Sequence, residues 1–208
     1  MSDCPAMSDT ASNAAPPPAP EDSLRADMYG FLAALLRQPP DAALLARCAG
    51  LRGDDSGIGQ AVTALAAQAA ATDPARLRAE YDALFIGLGR GELLPYGSVY
   101  LTGFLNEKPL ALLRQDMARL GLARQDGVPE PEDHIASLME SMAALITGRV
   151  GAGADLAGQA GFFARHIAPW APHFMADLAA ASAARFYAPV GKLGAAFMAV
   201  EAQGFRLG

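Results

Sequence analysis

Apolar residues recur three or four positions apart along most of the chain, which is the spacing of an amphipathic α-helix. Ser23 is a candidate N-cap for the first of these helices, and Pro39 marks its end. Asp73 and Pro74 predict another helix start, because a capping acid precedes a proline where no amide hydrogen is needed. Convincing alternation of apolar and polar residues is absent from the sequence. We therefore expect an all-α, single-domain bundle of about eight or more helices.

The first 22 residues differ from the rest of the chain in composition. Alanine, proline and serine dominate residues 1–22, and such a segment cannot bury enough apolar area to offset the entropy lost on ordering. We therefore predict a disordered tail over residues 1–22 and a helical domain over residues 23–208. The tail lacks the basic and apolar regions of a secretory signal, and no apolar run reaches the ~18 residues of a membrane span. These features favour a soluble, cytoplasmic protein with no stable membrane insertion.

The composition narrows the kinds of partner that the protein can have. Hydrophobic residues make up 52% of the chain, which is ample for a substantial core. The formal net charge of −6 and the pI near 5.0 argue against nucleic acid as a partner, because phosphate binding requires concentrated lysine and arginine. Cys4 and Cys48 are the only cysteines, so the sequence predicts neither a disulfide framework nor a zinc site and favours a reducing compartment.

Two stretches interrupt the helical pattern with glycine-rich or polar residues. The first, IGLGRGELLPYGSVYL, contains glycines and Pro95 that indicate a long loop. The second, VPEPEDHIASLMESMAAL, places Pro131 at the expected first position of a helix, with Glu132 and Asp133 in its first turn. His134 then falls at the edge of the apolar stripe, where we expect it to face a groove between helices.

The sequence argues against an active site or a metal centre. Adjacent residues on a helix diverge by ~100°, so neither Asp133 nor His134 directly orients the other in a catalytic dyad. His166 and His173 do not have the i, i+4 spacing of helical metal ligands, and no cysteine pair supports them. Neither a Walker A lysine motif nor a Gly-x-Ser-x-Gly motif is present. The pattern therefore favours a non-enzyme without a metal, and acidic residues at a helix start are in themselves ordinary.

Three segments taken together resemble a known family. They are YDALFIGLGRGELLPYGSVYL (81–101), PEPEDHIASLMESM (129–142) and FFARHIAPWAPHF (162–174). Their order and spacing are similar to those of the TorD/DmsD family of cytoplasmic chaperones for molybdoenzymes, also called redox enzyme maturation proteins. The resemblance spans residues 24–205, and its hallmarks here run from Tyr81 to Gly87, from Pro95 to Ser98 and from Glu130 to His134.

The resemblance implies an all-helical fold and a chaperone function. Members of the family bind the twin-arginine signal peptide of a partner enzyme, usually a molybdopterin-dependent oxidoreductase, and hold it until the cofactor is inserted. Some members also contact the catalytic subunit of that enzyme. Weak guanine-nucleotide binding is associated with the family, but no phosphate-binding motif here supports a required nucleotide cofactor. The resemblance leaves open whether the protein is a monomer or a dimer.

A site for such a peptide should combine carboxylates with an apolar groove. The carboxylates of Glu130, Glu132 and Asp133 are expected to bind the two guanidinium groups, with ~1.5–3 kcal/mol for each charge-assisted hydrogen bond. His134 is expected to donate to the peptide backbone or to border the groove. The other candidate residues would supply the apolar wall and the adjoining loop, and they are Tyr81, Leu84, Phe85, Pro95, Tyr96, Gly97 and Ser98.

Structural roles stay open for several of these positions. Tyr81, Leu84 and Phe85 have the spacing of ordinary core residues, and the Gly-Ser pair of the loop also fits a simple turn. His166 and Trp170 are expected to pack among the C-terminal helices. Tyrosine stands at positions 81 and 96, where several relatives carry tryptophan, so the peptide preference is expected to differ here.

Two other functions stay open from the sequence. A NarJ-like assembly factor would act on a molybdoenzyme subunit that is not exported, and it would bind a mature-like N-terminus instead of a twin-arginine peptide. The Pro-Tyr-Gly-Ser loop and the Asp-His pair favour the TorD/DmsD side. A weak GTPase is the third alternative, and an Asp133→Ala variant that keeps peptide binding but loses turnover would support it.

Overall fold

The computed structural model describes residues 19–87, 89–123, 130–148 and 155–207. Within these ranges the chain forms ten α-helices and two single-turn π-helices, and it forms no β-strand, which confirms the all-α prediction. In chain order the α-helices are α1 (Pro20–Arg37), α2 (Ala42–Ala49), α3 (Gly57–Ala71), α4 (Pro74–Tyr81), α5 (Gly97–Thr102), α6 (Lys108–Arg119), α7 (Ile135–Thr147), α8 (Leu156–Phe162), α9 (Ala171–Ala180) and α10 (Tyr187–Leu207). The π-turns follow α4 and α8 directly, at Asp82–Ile86 and Phe163–Ile167.

The first helix begins earlier than the sequence predicts. Pro20 stands at the start of α1, and two carboxylates follow it in the first turn, where the helix dipole favours negative charge. Ser23 is not the N-cap, because its amide already donates to the carbonyl of Ala19 at 2.9 Å. Residues 20–22 therefore belong to the helix and not to a tail. Residues 1–18, which make up the rest of the predicted tail, lie outside the described residues.

One hydrophobic core joins the helices. α1 packs along α7, and α10 packs against both α9 and α3. Trp170, Tyr29 and Tyr187 are the largest of the fully buried side chains. Burying a large apolar side chain stabilises a fold by about 1.5–3 kcal/mol before the entropy of ordering is subtracted. Among the described helices, none combines the length and the apolar character that crossing a lipid bilayer requires.

Two carboxylates fix the segment that leads to the Pro95 loop. Glu80, near the end of α4, accepts a hydrogen bond from the amide of Tyr187 at the start of α10, at 2.8 Å. Glu92 accepts from the amide of Ser182, at 2.6 Å. Both acceptors are carboxylates, which bind backbone amides more strongly than neutral groups do. The chain ahead of the loop is therefore attached twice to the connection between α9 and α10.

Candidate functional site

The two stretches that interrupt the helical pattern lie side by side. Residues 95–98 pair in antiparallel fashion with residues 133–135 through a single β-bridge. The amide of Ile135 donates to the carbonyl of Pro95 at 2.9 Å, which closes one end of the pairing. We call these two segments the motif junction. Two of the motifs that carry the family resemblance therefore form one continuous site.

Asp133 holds the first turn of α5 from outside that helix. Its carbonyl accepts a hydrogen bond from the amide of Gly97 at 2.9 Å, and its carboxylate Oδ2 accepts one from the amide of Ser98 at 2.7 Å. A negative charge is favourable at this position, because the unpaired amides of a first turn carry partial positive charge. Gly97 also lies against Trp170, where an added Cβ would stand 2.9 Å from the indole Nε1, so the close approach requires glycine.

The helix after the junction begins later than the sequence predicts. α7 begins at Ile135 with His134 as its N-cap, so Glu132 and Asp133 precede the helix instead of occupying its first turn. The helix start predicted from Pro131 is wrong for a physical reason. The backbone on either side of His134 hydrogen-bonds to the Pro-Tyr-Gly-Ser loop, which holds His134 in an extended conformation and delays the helix.

His134 is a buried and uncharged helix cap. Its Nδ1 accepts a hydrogen bond from the amide of Ala136 at 3.1 Å, and its ring packs edge-on against Tyr96 with 5.2 Å between centroids. Burial, with a smaller contribution from the positive charge of Arg37, lowers the pKa of His134 to about 3. Near neutral pH only Nε2 carries a hydrogen, so any donation to a peptide would come from Nε2.

The three predicted carboxylates make different contacts within the protein. Glu132 accepts two hydrogen bonds from the guanidinium of Arg114 on α6, at 2.8 and 3.0 Å. Glu130 is half-buried. The burial of the Tyr81 hydroxyl, together with the negative charge of Glu130, raises the pKa of Tyr81 to about 12. Asp133 is buried at the start of α5. These three acids, which are close in sequence, therefore have different principal partners.

Much of the predicted apolar wall belongs to the core. Leu84 is fully buried, and Tyr81 is buried with its hydroxyl donating to a backbone carbonyl of α1 at 3.0 Å. Phe85 packs edge-on against Tyr81 with 4.9 Å between ring centroids. Pro95 is buried, whereas Phe85 and Tyr96 are half-buried. Peptide contact by these residues stays a prediction, and the two half-buried rings are the ones placed to make it.

A cavity of about 290 Å³ adjoins the motif junction. Gly97 and Asp133 of the junction form part of the cavity wall. Leucines from α5, α6 and α7, together with Trp170, supply an apolar lining. The indole nitrogen of Trp170 already has a partner, because it donates to the carbonyl of His166 at 2.8 Å. The cavity therefore combines an apolar wall with one acid of the junction.

A second acid in the cavity wall is already fully paired. The Asp116 carboxylate contacts His166 Nε2 at 2.8 Å, Arg119 at 2.7 Å and Arg165 at 3.2 Å. Burial opposes the ionisation of Asp116, but the bond from His166 and the arginine charges hold its pKa below the ordinary value. Burial lowers the pKa of His166 despite the opposing effect of Asp116, so a neutral imidazole donates to an ionised carboxylate.

The sequence interpretation missed Asp116 and assigned His166 a packing role. The structure confirms that His166 is buried, but it also shows its hydrogen-bond partner Asp116, fifty residues away. One signal could have identified Asp116 beforehand. It is an acid on the buried face of α6, next to Leu113 and Met117, and a buried acid is rarely left without a partner.

Two buried polar atoms of the motif junction have no hydrogen-bond partner among the described residues. They are Oδ1 of Asp133 and Oγ of Ser98. A buried acceptor that lacks a donor costs about 1–3 kcal/mol, and more when it is charged. A ligand with N–H donors would therefore be stabilised at Asp133, and a cationic donor would also offset its charge. In the part of the chain that the structure describes, no three metal-ligating side chains converge.

Known proteins are similar to this chain in sequence and in fold. The sequence profile of a family described as nitrate reductase delta subunit matches residues 51–176. The chaperone protein TorD of Vibrio cholerae serotype O1 is 30% identical over 129 residues, which are 59% of each chain. That of Vibrio atlanticus is 30% identical over 135 residues, which are 61% of this chain and 63% of the relative. The chain thus matches about three fifths of the length of these curated relatives.

A solved structure extends the likeness over nearly the whole chain. It is a crystal structure from Archaeoglobus fulgidus, provisionally described as a redox enzyme maturation protein. The TM-score is 0.55 at 18% sequence identity, and the match covers 93% of this chain and 99% of the other. At this identity the comparison shows a shared fold. Because the family profile covers more than half of the sequence, the chain belongs to the nitrate reductase delta subunit family, and its similarity to TorD chaperones confirms the resemblance carried by its motifs.

Proposed function

We propose that the protein is a chaperone that binds the twin-arginine signal peptide of a molybdopterin-dependent oxidoreductase and holds it until the cofactor is inserted. One observation carries the proposal. Asp133 is buried beside an apolar cavity, with Oδ2 bound to the start of α5 and Oδ1 without a donor among the described residues. The similarity to proteins named TorD chaperones supports the same function.

The chemistry of such a peptide fits this arrangement. A twin-arginine peptide presents two guanidinium groups followed by an apolar segment, so it needs an acceptor next to an apolar surface. A charge-assisted hydrogen bond to Asp133 would contribute about 1.5–3 kcal/mol. Each large apolar side chain that becomes buried contributes a similar amount, and several can be buried at once. Affinity should therefore come mainly from the apolar segment, and the acid should supply selectivity and register.

Several parts of the proposal follow from this function. The peptide must be bound before export, so the protein would act in the cytoplasm. Its partners would be the signal peptide and the catalytic subunit of the client enzyme, with neither nucleic acid nor a required nucleotide. The peptide contacts proposed at Phe85 and Tyr96 would supplement those at Asp133. The function needs no catalytic step, so we propose a binding protein and not an enzyme.

A second candidate function has its own observation. The description of the matching family names a subunit of nitrate reductase. This description favours a NarJ-like factor that assembles a molybdoenzyme without an export signal. Such a factor would recognise the N-terminus of a mature-like catalytic subunit. Peptides from the two kinds of client therefore distinguish the candidates.

Isothermal calorimetry can test the proposal with signal peptides from the molybdoenzymes of the source genome. Each peptide would be compared with a di-lysine form and with a form whose apolar segment is polar. The proposal predicts tight binding of one peptide, a large loss with the polar segment and a smaller loss with di-lysine. The N-termini of non-exported molybdoenzyme subunits form the second arm. Binding in that arm alone would reject the signal-peptide function and favour the NarJ-like one.

Asp133→Asn makes the test specific to the site. It removes the charge from the motif junction while keeping an oxygen that can accept from Ser98. Asp55→Asn is the matched control, because Asp55 is an exposed acid in the connection between α2 and α3. Only the first substitution should weaken binding of the twin-arginine peptide. Equal binding by both variants would remove Asp133 from the proposed site.

A further inference from the structure

Exposed apolar side chains gather around the connection between α5 and α6. Nine large apolar residues are prominently exposed in the described part of the chain, and four of them lie within residues 101–112. They are Leu101 at 42% exposure, Phe104 at 69%, Leu105 at 46% and Leu112 at 57%. We call these four residues the α5–α6 apolar surface. A contiguous exposed apolar surface is a common sign of a binding site.

This surface continues into the cavity beside the motif junction. Leu101 and Leu112 belong to the surface and also line the cavity wall. Asp133 lines the same cavity and is only 3% exposed. A single ligand could therefore cover the α5–α6 apolar surface and extend one polar group inward to the open Oδ1 of Asp133.

The charges around the cavity indicate which polar group would enter. Asp116 already contacts His166 and two arginines, and Glu132 already binds Arg114. Asp133 is therefore the acid of this cavity that keeps an acceptor open, and a guanidinium or an ammonium group would complement it. An anionic group would gain nothing from Asp133 and would meet its charge.

A comparison within the same molecule supports the assignment. Leu24 and Val200 are also exposed, and they border another apolar cavity of about 550 Å³ that contains Glu201. Both oxygens of Glu201 are occupied, since Arg25 binds Oε1 and Oε2 and Tyr29 binds Oε2. That surface is also apolar, but neither oxygen of its acid is unpaired. Of these two surfaces, the α5–α6 surface is the one that meets both requirements of a basic and apolar peptide.

We propose that the α5–α6 apolar surface binds the apolar segment of the client peptide, while a basic residue that precedes this segment reaches Asp133 through the cavity. The inference rests on the proposed function and assigns most of its apolar contacts to residues 101–112, because Tyr81 and Leu84 are buried. A peptide chain spans about 3.3 Å per extended residue, so a few residues suffice to bridge the cavity mouth.

The test uses calorimetry to compare two double variants of the protein. Each is titrated with the tightest-binding twin-arginine peptide and with the form of that peptide whose apolar segment is polar. Phe104→Ser with Leu105→Ser removes two exposed side chains, and Leu24→Ser with Val200→Ser is the matched control on the other apolar surface. We expect the first pair to weaken binding of the apolar peptide by about tenfold or more, because two large contacts are lost. It should change binding of the polar-segment peptide by less than about twofold, and the control pair should change neither.

The possible failures of the two proposals differ. If the wild-type protein binds the peptide and the Phe104–Leu105 variant binds it equally well, the inference is overturned while the proposed function stands. A loss of the same size with both peptides would also overturn it, because the substitutions would not act on the apolar segment. If the wild-type protein binds no signal peptide, both proposals fail together. Circular dichroism checks the fold, and Leu112→Ser repeats the test if the double variant does not fold.

Discussion

The carboxylate of Asp133 accepts a hydrogen bond of 2.7 Å from the backbone amide of Ser98, 35 residues away in sequence. The carbonyl of Asp133 also accepts from the amide of Gly97, so one residue completes the first turn of α5 twice. Its second carboxylate oxygen has no donor among the described residues. A structural contact and the candidate ligand contact therefore use different oxygens of the same side chain, and substitutions can separate the two.

Asp133→Ala and Asp133→Asn should differ in stability. Alanine leaves the buried Ser98 amide without an acceptor, which should lower the free energy of unfolding by about 1–3 kcal/mol. Asparagine keeps an acceptor oxygen and should lower it by less than about 1 kcal/mol. Urea unfolding followed by circular dichroism measures both changes. Equal stabilities of the two variants would contradict the contribution of Asp133 to α5.

Gly97→Ala should destabilise the protein and disturb Trp170. A Cβ at this position would lie 2.9 Å from the indole Nε1 and 3.2 Å from Cε2, and the buried ring has little room to move. We expect a loss of about 1–3 kcal/mol, which is typical of an overpacked core. Because Trp170 is the only tryptophan, its fluorescence emission should shift in the folded variant.

Gly30→Ala provides the control for that substitution. Gly30 lies within α1, and an added Cβ there would meet nothing within 4 Å. Alanine should therefore stabilise the helix by up to about 1 kcal/mol through its better helix propensity. An equal loss of stability in both variants would rule out the contact with Trp170 as the cause.

Local signals in the sequence predicted local structure well. Asp73 and Pro74 predicted the start of α4, and the Asp73 side chain indeed accepts from the amides of Ala75 and Arg76 at 3.0 Å. A helix cap depends on residues within one turn, so the sequence contains the information that is needed. The helical spacing of apolar residues predicted the all-α class for the same reason.

The errors have a common cause in contacts between distant residues. The start of α7 was placed at Pro131 because nothing nearby shows that the chain pairs with residues 95–98. The sequence does not identify the role of Asp116, because its hydrogen-bond partner His166 lies fifty residues further along. The sequence also does not show which groups of the protein Glu132 and Asp133 contact. Glu132 binds Arg114, and Asp133 binds the start of α5.

Glu201→Ala should be among the more destabilising substitutions outside the candidate site. Glu201 is buried, and it accepts from Arg25 at 2.8 and 2.9 Å and from the hydroxyl of Tyr29 at 3.0 Å. Removing it leaves a buried hydroxyl without its acceptor and reduces the partners of a partly buried guanidinium to Asp22 and Gln159, at a cost of roughly 3 kcal/mol. Thermal and urea unfolding measure the loss.

An exposed ion pair is the appropriate comparison for Glu201. Arg76 and Asp73 form a bridge of 3.1 Å with side-chain exposures of 83% and 53%. Because solvent screens this pair, Arg76→Ala should change the free energy of unfolding by less than about 0.5 kcal/mol. A loss as large as that of Glu201→Ala would show that burial does not set the difference.

The buried His134 should make the protein less stable as the pH falls below neutral. Its pKa is about 3 in the folded state and close to 6.5 in the unfolded state, so the unfolded chain takes up the proton first. The contribution of the neutral His134 to the free energy of unfolding is fully present above about pH 6.5. It is lost as the pH falls towards 3, by about 1.4 kcal/mol per pH unit at most.

Substitution of His134 separates its titration from that of the carboxylates. His134→Asn keeps a side chain that can cap α7 but does not titrate, so unfolding free energies measured from pH 7 to pH 4 should fall less steeply than in the wild type. His173→Asn is the matched control, because it removes an exposed histidine on α9. His166 is unaltered in both variants and adds the same background, since burial also lowers its pKa. Parallel slopes for the wild type and His134→Asn would show that His134 takes up its proton equally in the folded and unfolded states.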